Sequence, residues 1–301
     1  MRILLAVDGS ISSDRATELV ASFDLPADSL IRVVSVQQPY VDVLAMSWAS
    51  AGDATAGETE EQVDARHHRE AIERAERILD RPGIKVEGFL LRGRPASSIV
   101  DEARVMAAEV VVVGSRGHGT IATMVLGSTA SEIVDHAPCP VLVARGTSVG
   151  SVVFADDGSR SARMAEGVLT AWPIFAGRPI TVLTVAEVAV PVAAGFTPGL
   201  YDQVLASYTR SVDEAREEVR EEADTAAGRL DDAGLDARPI VLEGDAATEI
   251  VRFAAERGIG TIVMGTRGHT GLARLFLGSV ARNVLLHAPC SVLVVREQKS
   301  A

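Results

Sequence analysis

The residues best suited to chemistry in this 301-residue chain are Gly114-Ser115-Arg116-Gly117, followed nine residues later by Gly127-Ser128. The pattern recurs as Gly265-Thr266-Arg267-Gly268, nine residues, then Gly278-Ser279. Each copy leaves an apolar run, Val110 to Val113 or Ile262 to Met264, and ends where a helical pattern begins. Such a loop suits an anion. Glycines let backbone N–H groups approach phosphate oxygens, and the helix start adds unpaired N–H groups and a positive dipole end. The hydroxyls of Ser128 and Ser279 are expected to cap that helix, to donate to a phosphate, or both. Arg116 and Arg267 are placed to add charge-assisted bonds. A single Gly-x2-Gly after a strand is ordinarily a turn; two copies at matched spacing point to a phosphate site.

The matched spacing belongs to a wider repeat. HAPCPVLV at 136–143 answers HAPCSVLV at 287–294, LGST at 126–129 answers LGSV at 277–280, and LRGRPASSIV at 91–100 answers LEGDAATEIV at 242–251, all offset by 151 residues. VDGS at 7–10 answers DDGS at 156–159 at an offset of 149, so a two-residue indel lies between. The chain therefore reads as a tandem duplication, 1–146 and 150–296, with its boundary in the Gly146–Gly150 stretch.

The elements that position these loops are legible from periodicity. In the first unit, Ile3 to Val7, Leu30 to Val36, Val86 to Leu91, Val110 to Val113 and Val141 to Ala144 read as strands. Between them, Glu58 to Leu79 is helical with Ala71, Ile72, Ala75, Ile78 and Leu79 on one face, Pro95 opens a helix to about Met106, and Ser128 to His136 is a short helix stopped by Pro138. The second unit repeats this with strands at 152–155, 180–185, 239–242, 262–264 and 292–295 and a long charged helix from about 201 to 230. Alternating strands and helices predict an α/β fold, with a doubly wound parallel sheet in each unit. Ligands of such sheets bind beyond the carboxyl ends of the strands at the switch in strand order. Segments 38–57 and 187–200, irregular and rich in Ala and Gly, read either as lid or contact loops or as variable insertions.

Composition removes several function classes. The chain carries 29 basic and 41 acidic residues, a net charge of −12, divided as 14 and 21 in 1–146 and 15 and 20 in 147–301. Neither half offers the basic face that a nucleic acid or an anionic membrane requires. No apolar run approaches a membrane span, and two cysteines without a CxxC pair predict a reduced, cytoplasmic setting. A Walker A loop is excluded because the only lysines, Lys85 and Lys299, do not follow a glycine. Gly117-His-Gly119 resembles a dinucleotide fingerprint by letter, but it follows the fourth strand, and Gly268-His-Thr-Gly271 breaks it in the second unit. His118 and His269 read as solvated loop residues, His136 and His287 as helix caps, and His67-His68 as a solvated face that binds no metal. Cys139 and Cys290 read as buried thiols, and no GxSxG elbow is present.

With the paired glycine loops, the opening strand ending in Asp-Gly-Ser and the closing HAPCPVLV, both units resemble the universal stress protein family in its nucleotide-binding branch. The resemblance spans nearly the whole chain. It implies an adenine nucleotide alpha hydrolase-like fold, a five-stranded sheet of order 3-2-1-4-5 in each unit, with ATP between the first and fourth strands. It further implies that Asp8 and Asp157 contact the nucleoside, and that Val36, Val185, Val113 and Met264 line the adenine. The loop residues Gly114, Arg116, Gly117, Gly127, Ser128 and Thr129, with Gly265, Arg267, Gly268, Gly278, Ser279 and Val280, would hold the rest of the nucleotide. On the residues alone, an Asp-Gly-Ser turn serves equally as a helix N-cap.

The function so implied is a nucleotide-responsive regulator of stress adaptation. It would bind one ATP per unit, two per chain, with or without Mg²⁺, and hydrolyse it slowly at most, since no base poised to activate water is evident. One alternative is an ATPase or phosphotransferase in which Asp8 or Asp157 helps hold Mg²⁺; another is a nucleotide-free interaction scaffold. Because family members commonly dimerise through their last strand, 141–144 and 292–295 here, the resemblance also implies an intrachain pseudo-dimer and leaves a homodimer open.

Overall fold

The computed structural model describes residues 1–39, 59–117, 126–186, 216–266 and 277–296. The long irregular segments (40–57 and 187–200), the start of the long helix of the second half, and the loop residues His118, Arg267, Gly268 and His269 lie outside the described residues. The chain divides into two units, Met1–Thr147 and Ser148–Ala301.

In unit one the order of elements is β1 (Arg2–Ala6), α1 (Ile11–Ala21), β2 (Ser29–Gln37), α2 (Glu60–Leu79), β3 (Ile84–Arg92), α3 (Pro95–Val105), β4 (Val110–Gly114), α4 (Ser128–His136) and β5 (Val141–Ala144). The strands are all parallel in the order β3-β2-β1-β4-β5. β1 lies in the middle, with Ala6 opposite Val34 of β2 on one side and Val113 of β4 on the other. The chain therefore leaves β1 and β4 side by side but in opposite directions around the sheet, which opens a crevice at their carboxyl ends. Ile3, Leu4 and Leu5 of β1 and the valines of β4 are buried on both faces, as continuous apolar runs in a doubly covered sheet should be.

Unit two runs β6 (Val152–Ala155), α5 (Arg160–Ala171), a 3₁₀ turn (Pro173–Phe175), β7 (Ile180–Ala186), α6 (helical over 216–232), β8 (Ala237–Glu243), α7 (Ala246–Arg257), β9 (Thr261–Gly265), α8 (Ser279–His287) and β10 (Ser291–Val295). Its strands take the equivalent order, β8-β7-β6-β9-β10, all parallel. Among the described residues no helix is long and apolar enough to cross a membrane.

Two sequence expectations about α2 need correction. Ala71, Ile72, Ala75 and Leu79 are buried as predicted, but Ile78 is exposed, because it falls at the rim of the stripe that those four define. His67 is exposed, whereas His68 turns inward onto β2. Helix α2 itself starts at a capping box between Thr59 and Gln62, one turn before its first buried residue, Ala65.

Candidate functional site

At the carboxyl ends of β1, β2 and β4 unit one contains an open cleft of about 760 Å³. Asp8, Val36, Val113, Gly114, Arg116, Gly117, Gly127, Ser128 and Thr129 all line it, so every site residue expected in this unit meets at one place. Val34, Val36, Ile99 and Val113 form an apolar wall. Arg116, Gly117 and the start of α4 form a wall rich in backbone N–H groups and positive charge.

The Asp-Gly-Ser turn is built from two interlocking local bonds. Ser10 caps α1, accepting from the Ser13 N–H at 3.2 Å, and Gly9 has φ +81°, a left-handed conformation that glycine adopts without strain. Asp8 is therefore not the helix cap. Its Oδ1 accepts from the Ser10 N–H at 3.0 Å, which aims the carboxylate across the crevice at the loop after β4. Unit two repeats the device: Ser159 caps α5 and the Ser159 N–H donates to Asp157 Oδ1 at 3.1 Å.

The loop after β4 is pinned at its base. The Ser115 N–H donates to the Ala144 carbonyl at 3.1 Å, and the Gly127 N–H donates to the Ser115 carbonyl at 2.8 Å, closing the loop on itself. In unit two the Thr266 N–H donates to Val295 at 3.1 Å and the Gly278 N–H to Thr266 at 2.8 Å. The two leading glycines of the first loop have separate reasons to be glycine. A Cβ on Gly114 would sit 2.7 Å from the backbone carbon of Ser12, so that residue lets β4 pass the start of α1. On Gly117 a Cβ would meet Asp8 Oδ2 at 2.8 Å, its one close contact among the described residues. Gly265 repeats the packing role, its Cβ position lying 2.7 Å from the Ser161 backbone carbon.

Helix α4 starts without a side-chain cap. Its N-cap is Gly127 and its first intrahelical donor is the Ser131 N–H, so among the described residues the N–H groups of residues 128 to 130 have no backbone partner. The expectation that Ser128 caps the helix is thus corrected, since Ser128 is the first helical residue. Helix α8 is equally open, with Gly278 as N-cap and Ser279 and Val280 following. Helices α1, α2, α5 and α7 are all capped, by Ser10, Thr59, Ser159 and Asp245. In unit two Met264 and Gly265 end β9, buried, and Val185 is half-buried near the end of β7.

Three polar groups in or behind the cleft wall carry no site signal in the sequence. His68 and Asp64 of α2 line it, and Ser35 of β2 lies behind them. The Ser35 hydroxyl donates to the Val7 carbonyl at 2.6 Å and lies 2.7 Å from His68 Nδ1. Because its single proton is committed to Val7, His68 Nδ1–H is the donor in that pair. His68 Nε2 then faces Asp64 Oδ1 at 3.6 Å. The four-residue spacing of Asp64 and His68 is readable, but on so charged a helix it does not mark a site. Elsewhere, His287 Nδ1 lies 2.9 Å from the Asn283 carbonyl at the end of α8. Both cysteines are buried, and burial pushes the Cys139 thiol up to about 12, far from a reactive thiolate. Among the described residues no cluster of His, Cys, Asp or Glu could hold a metal ion.

Comparisons with known proteins agree with this architecture. The family described as the universal stress protein family matches residues 1–145 and 150–296. A universal stress protein of Thermus aquaticus is 32% identical over 143 residues, covering 48% of this chain and 97% of that protein. One from Mycobacterium bovis is 26% identical over 305 residues, covering 98% of this chain and 97% of its own length. Among solved structures, a universal stress protein from Archaeoglobus fulgidus superposes with a TM-score of 0.66 at 18% identity, covering 98% of each chain, a likeness of fold.

Proposed function

The chain belongs to the universal stress protein family, and we propose that it binds ATP or another adenine nucleotide, with the cleft of unit one as the binding site. The observation that carries this reading is the convergence of three complementary walls on one 760 Å³ space, a size suited to a small-molecule ligand. The apolar wall of Val34, Val36, Ile99 and Val113 suits a planar base. Asp8, aimed by the Ser10 N–H, suits a ribose hydroxyl. The uncapped N–H groups of α4 and the Arg116 guanidinium suit a phosphate chain, with Mg²⁺ accompanying the nucleotide where present. In a cytoplasmic stress-response protein such a site reports nucleotide state and hydrolyses its ligand slowly at most.

The test is to denature freshly purified protein, analyse the released small molecules by chromatography, and titrate nucleotide-free protein with ATP. Recovered ATP or ADP, or saturable binding abolished by Gly117→Asp, supports the reading; neither nucleotide recovered and no binding on titration refutes it. The His68–Asp64 pair in the cleft wall favours a second reading, phosphoryl transfer. Turnover of roughly 1 per second or faster, lost in His68→Gln while ATP binding persists, would establish that instead.

A further inference from the structure

The two units differ in charge around one turn, the Asp-Gly-Ser turn that ends the first strand of each. The offsets of the repeat pair Val7 with Asp156, Thr17 with Glu166, Ala71 with Glu222 and Ile78 with Arg229. In unit one these positions are apolar or neutral, and Val7 lines the cleft. In unit two they carry three carboxylates and one guanidinium. Arg229 pairs with Glu166, its Nε and Nη2 donating to the two carboxylate oxygens, each at 2.6 Å, and its charge also acts on Asp156 and Glu222, so one positive charge stands against three negative ones. Asp156 is 93% buried, its Oδ1 accepting from the Gly158 N–H at 3.0 Å, and burial pushes its carboxyl above the ordinary carboxylate range with Asp157, Glu166 and Glu222 adding to the effect. Glu222 closes over the same turn, its carboxylate lying where a Cβ on Gly158 would be.

A second difference is independent of charge. In unit one Ser35 and His68 brace the Val7 carbonyl just ahead of Asp8. The matching residues in unit two are Thr184 and Val219. Thr184 is buried, and among the described residues its Oγ1 has no hydrogen-bond partner. The last contrast lies at the uncapped helix, where Thr129 of unit one is replaced by Val280, which has no hydroxyl to donate.

We propose that the two units are not equivalent sites: unit one holds the nucleotide, while Asp156 and Glu222 make unit two disfavour the same polyanion, so the chain takes up one tight ATP rather than two. The inference rests on the nucleotide reading of unit one. It deepens that reading by assigning the charge around the Asp157 turn as the residue-level determinant of which repeat is filled. A like charge beside a polyanion in a solvated cleft weakens binding by roughly tenfold, and two such charges act here.

The experiment is calorimetric titration of the full chain with ATP, with thermal melts confirming that each variant is folded. Wild type should show one tight site, abolished by Gly117→Asp. Asp156→Asn combined with Glu222→Gln keeps the shape and the Gly158 bond while removing both charges, and should raise a second site by tenfold or more. Val7→Asp, the reciprocal change, should weaken the tight site by about tenfold; should Val7→Asp fail to fold, the Asn/Gln pair still decides. Two equal sites in wild type, a tight site that survives Gly117→Asp, or a folded Asn/Gln variant whose weaker site does not change overturns the proposal. No ATP binding to any of the proteins defeats the nucleotide reading itself, a result distinct from all of these.

Discussion

Gly114 and Gly117 stand three residues apart in one motif, yet replacing each by alanine should give opposite phenotypes. Neither has positive φ, so backbone conformation is not at issue. At Gly114 the added methyl meets backbone, the Ser12 carbon at 2.7 Å and its oxygen at 2.8 Å. No side chain can rotate away, so β4 and α1 must move apart. Overpacking of this kind costs about 1–3 kcal/mol, which in a unit of this size lowers Tm by roughly 3–10 °C. At Gly117, among the described residues, the methyl meets only Asp8 Oδ2 at 2.8 Å, which is 0.6 Å inside the 3.4 Å of ordinary contact.

A carboxylate at the end of a side chain gives way easily, so Gly117→Ala should leave Tm within about 2 °C of wild type, as surface changes do. It should nevertheless displace Asp8 from the ligand. A hydrogen bond to a charged group is worth about 1.5–3 kcal/mol, so its loss should weaken ATP by roughly 10- to 100-fold. Thermal melts and calorimetric titration of the two variants make the comparison. If Gly117→Ala melts as low as Gly114→Ala, or binds ATP within twofold of wild type, the division of labour between the two glycines is wrong.

Other expectations can be checked alongside. Ser35→Ala strands the Val7 carbonyl and the His68 Nδ1–H; it should cost about 1–3 kcal/mol in denaturant unfolding and weaken ATP binding as well, and an unchanged midpoint would contradict the bracing role. Asp156 has its folded-state pKa raised, chiefly by burial, so its favourable contribution is complete below the ordinary carboxylate range and is lost as pH rises through the raised value. Asp156→Asn should therefore raise Tm by roughly 2–4 °C near pH 8 and leave it unchanged near pH 3; a gain confined to acid reverses the sign and refutes the account. Native Cys139, buried and with its pKa raised, should react with a thiol reagent at pH 8 at least about 100-fold more slowly than in the unfolded chain, and labelling at comparable rates in both states would show the thiol to be accessible.

Much of the fold was legible because strong punctuation marks its elements. Helix α4 occupies Ser128–His136 and β5 Val141–Ala144, the ranges predicted, since Gly127, Pro138 and Pro140 leave those segments no room to slide. Strands β3 and β8 run longer than their apolar cores because parallel pairing with β2 and β7 recruits polar residues such as Lys85 and Arg238 that no hydrophobic pattern marks. The site was legible as a set of residues but not as a set of roles. Spacing could not separate Gly114, which α1 dictates, from Gly117, which Asp8 dictates, because each reason lies about 105 residues away along the chain. Burial of Asp156 beside the exposed Asp157 of the Asp-Gly-Ser motif is set by tertiary packing and has no signal in the residue pattern.

The repeat itself now divides into what folding demands and what a ligand would see. Gly114 with Gly265, Gly127 with Gly278, and Ser10 with Ser159 are matched because strand-to-helix approach, loop closure and helix capping recur identically in both units. Those matches would persist in a unit that binds nothing, so a duplicated glycine pattern attests a duplicated fold more strongly than a duplicated site. None of these three shared demands falls on Val7 and Asp156, Ser35 and Thr184, His68 and Val219, or Thr129 and Val280, and there the units differ. The proposal of nucleotide binding therefore rests on the converging walls of the unit-one cleft, which the fold alone does not require. By the same reasoning, divergence at these four positions is where a tandem protein can keep two copies of one scaffold and fill only one of them.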